Sequence, residues 1–371
     1  MSIPDILQTG IKNVRNIDRF VFGSGSIEEL EIILLKQKDK SESSYSIYFI
    51  DIFFQEKKNI LSRLPINDAD RVIFVSTQDE PTTDYIDSIY SNLLENNLSD
   101  PYAIIGIGGG ISLDVAKAIA NLLPNGGICS DYQGWDLVKK PSVYKIAIPT
   151  LSGTGAEATR TCVVTNKETG LKLGMNSDYS VYNQVIMDPD LTKTVPRDQY
   201  FFTGMDAYIH SFEALNGIYR NPIGDSLSQI SIQYCREIFN SGDMQSDENR
   251  SKLMVASYMG GAAIATSYVG LVHPFSAGLS VALGLHHCVA NCMTMRAMEE
   301  FYKNEYDEFW LMTKTQSIDV PKINHSLLSA NQYDALYEAA IVHEKPLTNA
   351  LGTEFKTVLT KDKVIELFKM M

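Results

Sequence analysis

Short apolar runs alternate with segments of helical period through the first half of this 371-residue chain, and then stop. Tyr-Ser-Ile-Tyr-Phe-Ile at 45–50 ends at Asp51, and 71–75, 102–107 and 144–148 repeat the pattern, the last closed by Pro149. Between them, 84–95 and 112–123 carry apolar residues at helical spacing. Strand–helix alternation of this kind implies a parallel, doubly wound sheet, because strands running the same way need a crossover and a helix supplies it. A last strand-like run at 184–187 is closed by Asp188-Pro-Asp-Leu. Beyond it strand signals largely vanish. Helical patterns follow at 204–215, 226–239, 252–267, 276–298 and 331–340, with a polar loop at 240–249. The length also favours two cores over one. The expected layout is an α/β domain over 1–187 and an all-helical domain over 188–371.

The run at 102–117 enters glycines at Gly106 and Gly108-Gly109-Gly110 and leaves as a helix. Glycines let a backbone approach a pyrophosphate closely, and the free N–H groups of the following helix meet its charge. This gives the first domain a Rossmann-like, dinucleotide-binding reading, although Ile111 keeps the turn from being a strict GxGxxG. Asp51 closes an earlier strand, where an acid can accept from the adenosine ribose and repel a 2′-phosphate, which favours NAD over NADP. The stretch 149–159 has the same grammar. Its Thr150, Ser152 and Thr154 are small hydroxylated residues among glycines, suited to donating hydrogen bonds to phosphate or a nicotinamide amide.

Only six histidines occur in the chain, and four of them fall at 210, 273, 286 and 287. Asp206 and His210 are four residues apart, which on a helix stacks both on one face. Carboxylate with imidazole suits a catalytic divalent metal such as Zn²⁺ or Fe²⁺. His273 and His287 can come from a turn and a following helix. His286, His287 and Cys288 are all candidate donors by spacing alone.

A formal net charge of -13 argues against nucleic acid or an anionic membrane as partner, while leaving room for a locally basic pocket and an anionic substrate. Five scattered cysteines do not form a disulfide framework. No basic segment leads into an apolar run at 1–6, and the apolar stretches are broken well short of a membrane span. The expected location is the cytoplasm.

Several blocks together resemble the iron-containing alcohol dehydrogenase family. Gly108-Gly-Gly-Ile-Ser-Leu-Asp-Val-Ala-Lys117 is similar to its Gly-Gly-Gly-Ser-x-x-Asp-x-Ala-Lys cofactor motif, and Ser152-Gly-Thr-Gly-Ala-Glu157 to its Gly-Thr-x-Ser-Glu stretch. Lys172 lies sixteen residues before Asp188, as a family lysine near the cofactor does. Gly204-Met-Asp-Ala-Tyr-Ile-His-Ser-Phe-Glu213 and Gly270-Leu-Val-His273 complete a likeness that spans roughly residues 15–300. It implies Gly108, Gly109, Gly110, Ser112, Asp114 and Lys172 at the cofactor. It also implies Asp206, His210, His273 and His287 as metal ligands, with the cofactor in a cleft between two domains and a homodimer as the assembly. The implied reaction is NAD-dependent oxidation of a primary alcohol, on a small alcohol or a sugar acid. Likeness within the family points to the terminal hydroxymethyl of 3-deoxy-D-manno-octulosonate, on the way to a lipopolysaccharide sugar.

Three positions depart from the family pattern. His286 stands where proline is usual, and Ile111 stands for a serine, which removes one phosphate hydrogen bond. Ala277 replaces a histidine close to the nicotinamide, so no catalytic proton-relay residue is assigned. A metal- and NAD-dependent lyase or cyclase resembling dehydroquinate synthase is the alternative. Its pocket is richer in Lys and Arg than the region 204–290 here.

Overall fold

The structure, a computed structural model, describes residues 7, 9, 10 and 12–371. The expectation drawn from 1–6 lies outside them. The chain divides into two compact units. One is Arg15–Leu151 with Ala156–Thr194; the other is Ser152–Gly155 with Val195–Met371 and the described residues before Arg15.

The first unit is built on strands β1 (Arg19–Phe22), β2 (Ser46–Asp51), β3 (Arg71–Val75), β4 (Ala103–Gly108), β5 (Gly134–Trp135), β6 (Lys145–Pro149), β7 (Val163–Asn166), β8 (Leu171–Asn176) and β9 (Gln184–Met187). Six of them form one sheet in the order β1-β9-β6-β4-β2-β3, every neighbouring pair parallel. Alternate residues of each strand face opposite sides, as the pleat requires. Ile47, Phe49 and Ile104 join one apolar cluster with Ile86 and Leu93 of α3 (Thr83–Glu95, preceded by α1 at Glu29–Lys38 and α2 at Lys58–Leu61) and Ile119 of α4 (Gly110–Asn125). Tyr48, Ile50, Ile105 and Ile107 join another with Leu30 and Leu34 of α1. Burial on both faces is why these strands read as unbroken apolar runs.

From β2 the chain steps outward to β3 and then crosses to β4 on the other side of β2. The reversal is a topological switch point, where open α/β sheets bind ligands beyond their strand ends. Asp51 closes β2 there and Gly108 closes β4. A second sheet, in the order β5-β8-β7, was not expected from sequence. Its strands are two to six residues long and carry glycine and polar side chains, too little pattern to register.

The second unit is helical: α5 (Arg197–Asn216), α6 (Pro222–Phe239), α7 (Asp247–Ser267), α8 (Val272–Leu283), α9 (His287–Thr294), α10 (Lys303–Thr315), α11 (Ala330–Ile341), α12 (Glu344–Leu351), α13 (Phe355–Val358) and α14 (Lys361–Met370). Helix α5 is its axis. Tyr200, Phe201, Met205, Tyr208, Ile209 and Phe212 all enter one core with residues of the helices around it. The single helix expected over 276–298 is instead two helices. Gly284 takes the left-handed conformation (φ 68°) that ends α8, and α9 restarts after His286. Apolar periodicity runs through the break, so only the glycine marked it. Among the described residues no single helix is long and apolar enough to cross a membrane.

Candidate metal centre and nucleotide turn

Asp206 and His210 lie one turn apart on α5 and are buried. His273 is the second residue of α8, and His287 the first of α9. The break between those helices therefore decides whether His287 can face α5, and it does. The Asp206 Oδ1 atom is 3.5 Å from His210 Nε2 and 3.3 Å from His273 Nε2, and Oδ2 is 3.6 Å from His287 Nε2. The His210 and His273 rings stack with centroids 4.6 Å apart. Asp206, His210 and His273 alone form a group whose donor atoms lie within 4.8 Å of one another. The exposed His286 occupies the N-cap position before α9 without a side-chain capping hydrogen bond.

Three acceptor nitrogens around one carboxylate fit a divalent cation. Nitrogens 3.3–3.6 Å from the carboxylate oxygens leave room for one ion held at about 2.1 Å from its donors, with His210 and His273 grouped most tightly around Asp206. Electrostatics point the same way. Burial alone would raise the Asp206 pKa, but His210, His287 and His273 together hold it well below the usual carboxylate range. Burial pushes His210 down to about 3, against the pull of Asp206, so its imidazole stays neutral and able to ligate.

Two residues that sequence reasoning gave no role complete the arrangement. Glu213, three residues after His210 and buried, accepts from His273 Nδ1 through Oε2 and from the Val272 backbone N–H through Oε1 at 2.6 Å. Burial alone would lower the His273 pKa, but Glu213 and Asp206 together raise it to about 9. With one proton held on Nδ1 by Glu213, a metal bound here would take the place of the other on Nε2, which faces Asp206; this is the carboxylate–histidine arrangement that orients metal-binding imidazoles. Asn291, fully buried, donates from Nδ2 to Asp206 Oδ1 at 2.7 Å and lies 3.3 Å from His287 Nε2 and 3.5 Å from His273 Nε2. Its Oδ1 is buried without a hydrogen-bond partner. The sequence signal for Asn291 was its position four residues after His287, the same spacing as Asp206–His210. The Cys288 thiol donates to Asp206 Oδ2 at 3.7 Å, at the border of the cluster.

The glycine turn sits at the switch point of the first unit. A Cβ on Gly108 (φ 151°) would come within 2.7 Å of Ser112 and 3.0 Å of the Asp51 Cβ, and one on Gly109 within 2.7 Å of Leu151. Helix α4 then starts at Gly110 with no side chain capping its first N–H groups. The Ser112 hydroxyl is buried without a partner. Uncapped N–H groups beside a bare glycine surface form a cradle for phosphate, so these residues fit a dinucleotide. Asp51 accepts from the Phe53 N–H and Thr77 Oγ1, and burial raises its pKa. The Thr150 N–H donates to the Gly108 carbonyl at 3.0 Å, tying the end of β6 to the turn.

The other motif residues also make contacts within the protein. Lys117 donates to the Thr159 and Thr161 carbonyls and to Thr159 Oγ1, fixing the loop into β7. Asp114 accepts from the Val163 N–H at 2.9 Å, and burial, offset in part by Lys117, lifts its pKa to about 6. Lys172 is buried and paired with Glu80 at 3.2 Å. Ser152 and Thr154 belong to the helical unit instead of the sheet unit. There a Cβ on Gly153 would lie 1.6 Å from the Thr203 carbonyl oxygen, and Gly155 meets Gly261 backbone to backbone.

A sequence profile described as iron-containing alcohol dehydrogenase matches residues 18–189, and one for the C-terminal region of Fe-containing alcohol dehydrogenases matches 201–324. Sulfoacetaldehyde reductase of Bilophila wadsworthia is 33% identical over 59% of this chain and 56% of its own length. The NAD-dependent methanol dehydrogenase of Bacillus methanolicus is 32% identical over 61% of this chain and 59% of its own length. The matched stretch thus spans little more than half the length of these relatives. A crystallised 1,3-propanediol oxidoreductase superposes with a TM-score of 0.82 over 97% of this chain and 99% of its own, at 18% identity, a likeness of fold.

Proposed function

Because the chain belongs to the iron-containing alcohol dehydrogenase family, whose members use NAD(H) and a divalent metal, we propose that it oxidises a primary alcohol to an aldehyde with NAD. The observation that carries this reading is the convergence of His210, His273 and His287 on Asp206. These four side chains would hold Fe²⁺ or Zn²⁺, which as a Lewis acid polarises a hydroxyl and eases its deprotonation. Glu213 keeps His273 in the tautomer that ligates, and Asn291 fixes the Asp206 carboxylate. NAD accepts the hydride; Asp51, the Gly108–Gly110 turn, Ser112, Asp114, Thr150, Ser152, Thr154 and Lys172 are its proposed contacts. Ala277 offers no group to carry the proton, which leaves by water or the ribose hydroxyls.

For the substrate, the reading is the C8 hydroxyl of 3-deoxy-D-manno-octulosonate, in lipopolysaccharide sugar biosynthesis. It rests on likeness to 3-deoxy-D-manno-octulosonate 8-oxidase, and a relative named for an anionic aldehyde is compatible with it. A cytoplasmic homodimer is the proposed state.

The test is anaerobic NAD⁺ reduction by protein stripped of metal and reloaded with Fe²⁺ or Zn²⁺. Metal-dependent, net NADH accumulation with the sugar acid supports both chemistry and substrate. Accumulation with simple alcohols alone keeps the chemistry and discards the sugar acid. NADH that forms only transiently points to a cyclase. Asp206→Ala with undiminished metal content and turnover would remove the assigned centre.

A further inference from the structure

Asn291 stands among the candidate metal donors at donor spacing. It follows His287 by four residues on α9, which puts both side chains on one face of the helix, and it is fully buried. Its Nδ2 atom lies 2.7 Å from Asp206 Oδ1, 3.3 Å from His287 Nε2 and 3.5 Å from His273 Nε2. The three imidazole nitrogens stand 3.3–3.6 Å from the Asp206 oxygens. One end of the amide is therefore set apart from carboxylate and imidazoles much as these are from each other, the place of a further donor around a shared ion.

That end carries hydrogens, and the other end is idle. Asn291 Oδ1 is buried with no hydrogen-bond partner, while Nδ2 donates to Asp206. An acceptor buried without a donor is destabilising. The oxygen and nitrogen of a carboxamide are close in size, so a half-turn about χ2 exchanges them with little movement of the neighbours. In one setting the NH₂ group bonds to Asp206; in the other the carbonyl oxygen faces Asp206, His273 and His287. Only the oxygen has a lone pair to give a metal, because the amide nitrogen shares its own with the carbonyl. A carboxylate and imidazole nitrogens by themselves favour the first setting. A cation held by them favours the second.

We propose that Asn291 Oδ1 is a fifth protein donor to the metal, beside Asp206, His210, His273 and His287, and that it tilts the centre toward Fe²⁺ over Zn²⁺. Zn²⁺ is satisfied by four tetrahedral donors, three of them from the protein in catalytic sites. A fifth protein donor, a hard carbonyl oxygen, suits Fe²⁺, which carries imidazole and oxygen ligands together in sites of more than four positions. The inference rests on the metal-centred reading above and adds the residue that chooses between its two candidate ions.

The experiment loads the metal-stripped full chain with Co²⁺ and records its visible absorption, which is weak for five or six donors and several times stronger for four. Asn291→Leu keeps the volume and removes the oxygen, while Asn291→Asp keeps an oxygen and removes the NH₂ group. Wild type should show the weak band, Asn291→Leu the strong one, and Asn291→Asp the weak one again. In competition with a chromophoric chelator, Asn291→Leu should lose at least about tenfold in Fe²⁺ affinity and less in Zn²⁺ affinity, so the preference between them falls. Asn291→Asp should bind both ions at least as tightly as wild type. A four-donor spectrum in wild type, or one that Asn291→Leu leaves unchanged, overturns the ligand. Weaker Co²⁺ binding by Asn291→Asp also overturns it, since that is the result expected of an amide that only donates to Asp206. This second arm decides the matter even where the leucine variant does not fold. Failure of wild type to bind Co²⁺ would instead overturn the metal-centred reading itself.

Discussion

Glu213→Gln separates a carboxylate that merely fills space from one that tunes a ligand. The substitution preserves shape, and the Gln carbonyl oxygen can still accept from the Val272 N–H, now at 2.6 Å from Oε1. The amide nitrogen would then face His273 Nδ1, where Glu213 Oε2 now accepts. Two donors cannot share that contact, so the imidazole must move its proton to Nε2 or turn away. Either change withdraws the Nε2 lone pair from the position 3.3 Å from Asp206 Oδ1. Loss of such an outer partner typically weakens metal binding about ten- to a hundredfold, or roughly 1.4–2.7 kcal/mol. Competition for Zn²⁺ against a chromophoric chelator, on the full chain, reads the change directly. The apo protein should retain its helical circular dichroism, because the Val272 anchor survives. Metal affinity within twofold of wild type would refute the argument that Glu213 acts through His273.

Two further perturbations follow from local geometry. Gly153→Ala would force a Cβ to within 1.6 Å of the Thr203 carbonyl oxygen in a backbone region glycine favours, so unfolding should show a loss of at least about 2 kcal/mol. Asp114 carries a folded-state pKa raised from 3.8 to about 6, so its native form binds a proton more tightly than the unfolded chain does. It therefore favours the fold below pH 4 and loses that contribution as pH rises through about 6. The stability of Asp114→Asn minus that of wild type, followed by denaturant unfolding, should increase across that window; a flat difference would exclude the titration.

How much was legible from sequence depended on whether the signal was local. The central sheet strands announced themselves because both their faces are buried, so β4 and β6 fall within a residue of their apolar runs. Asp206 and His210 were visible as a pair because a helix converts a spacing of four into contact. Glu213 and Asn291 were not, because their roles depend on partners 60 and 85 residues away. Polar residues with distant partners look like any polar residue on a helix. The break at Gly284 was hidden for the opposite reason: the apolar pattern continues across it although the backbone does not. Tyr268, which caps α7 with φ 61° and ψ 167°, gave no signal at all, since nothing about a tyrosine in sequence reveals a glycine-like backbone.

The four residues Ser152–Gly155 leave the sheet unit in mid-chain, lodge in the helical unit and return. This detour makes the protein hard to dissect. A fragment starting at Val195 would contain Asp206, His210, His273 and His287, yet lack the loop whose Gly155 N–H reaches Ser257 Oγ at 3.3 Å and whose glycines fill the space against α5 and α7. The complementary fragment would carry that loop with nothing to seat it. During synthesis the same loop waits until Gly261 has been made, so the helical unit cannot finish folding on the order in which its residues emerge. The metal ligands are contiguous in one stretch of sequence, but the structure that positions them is not.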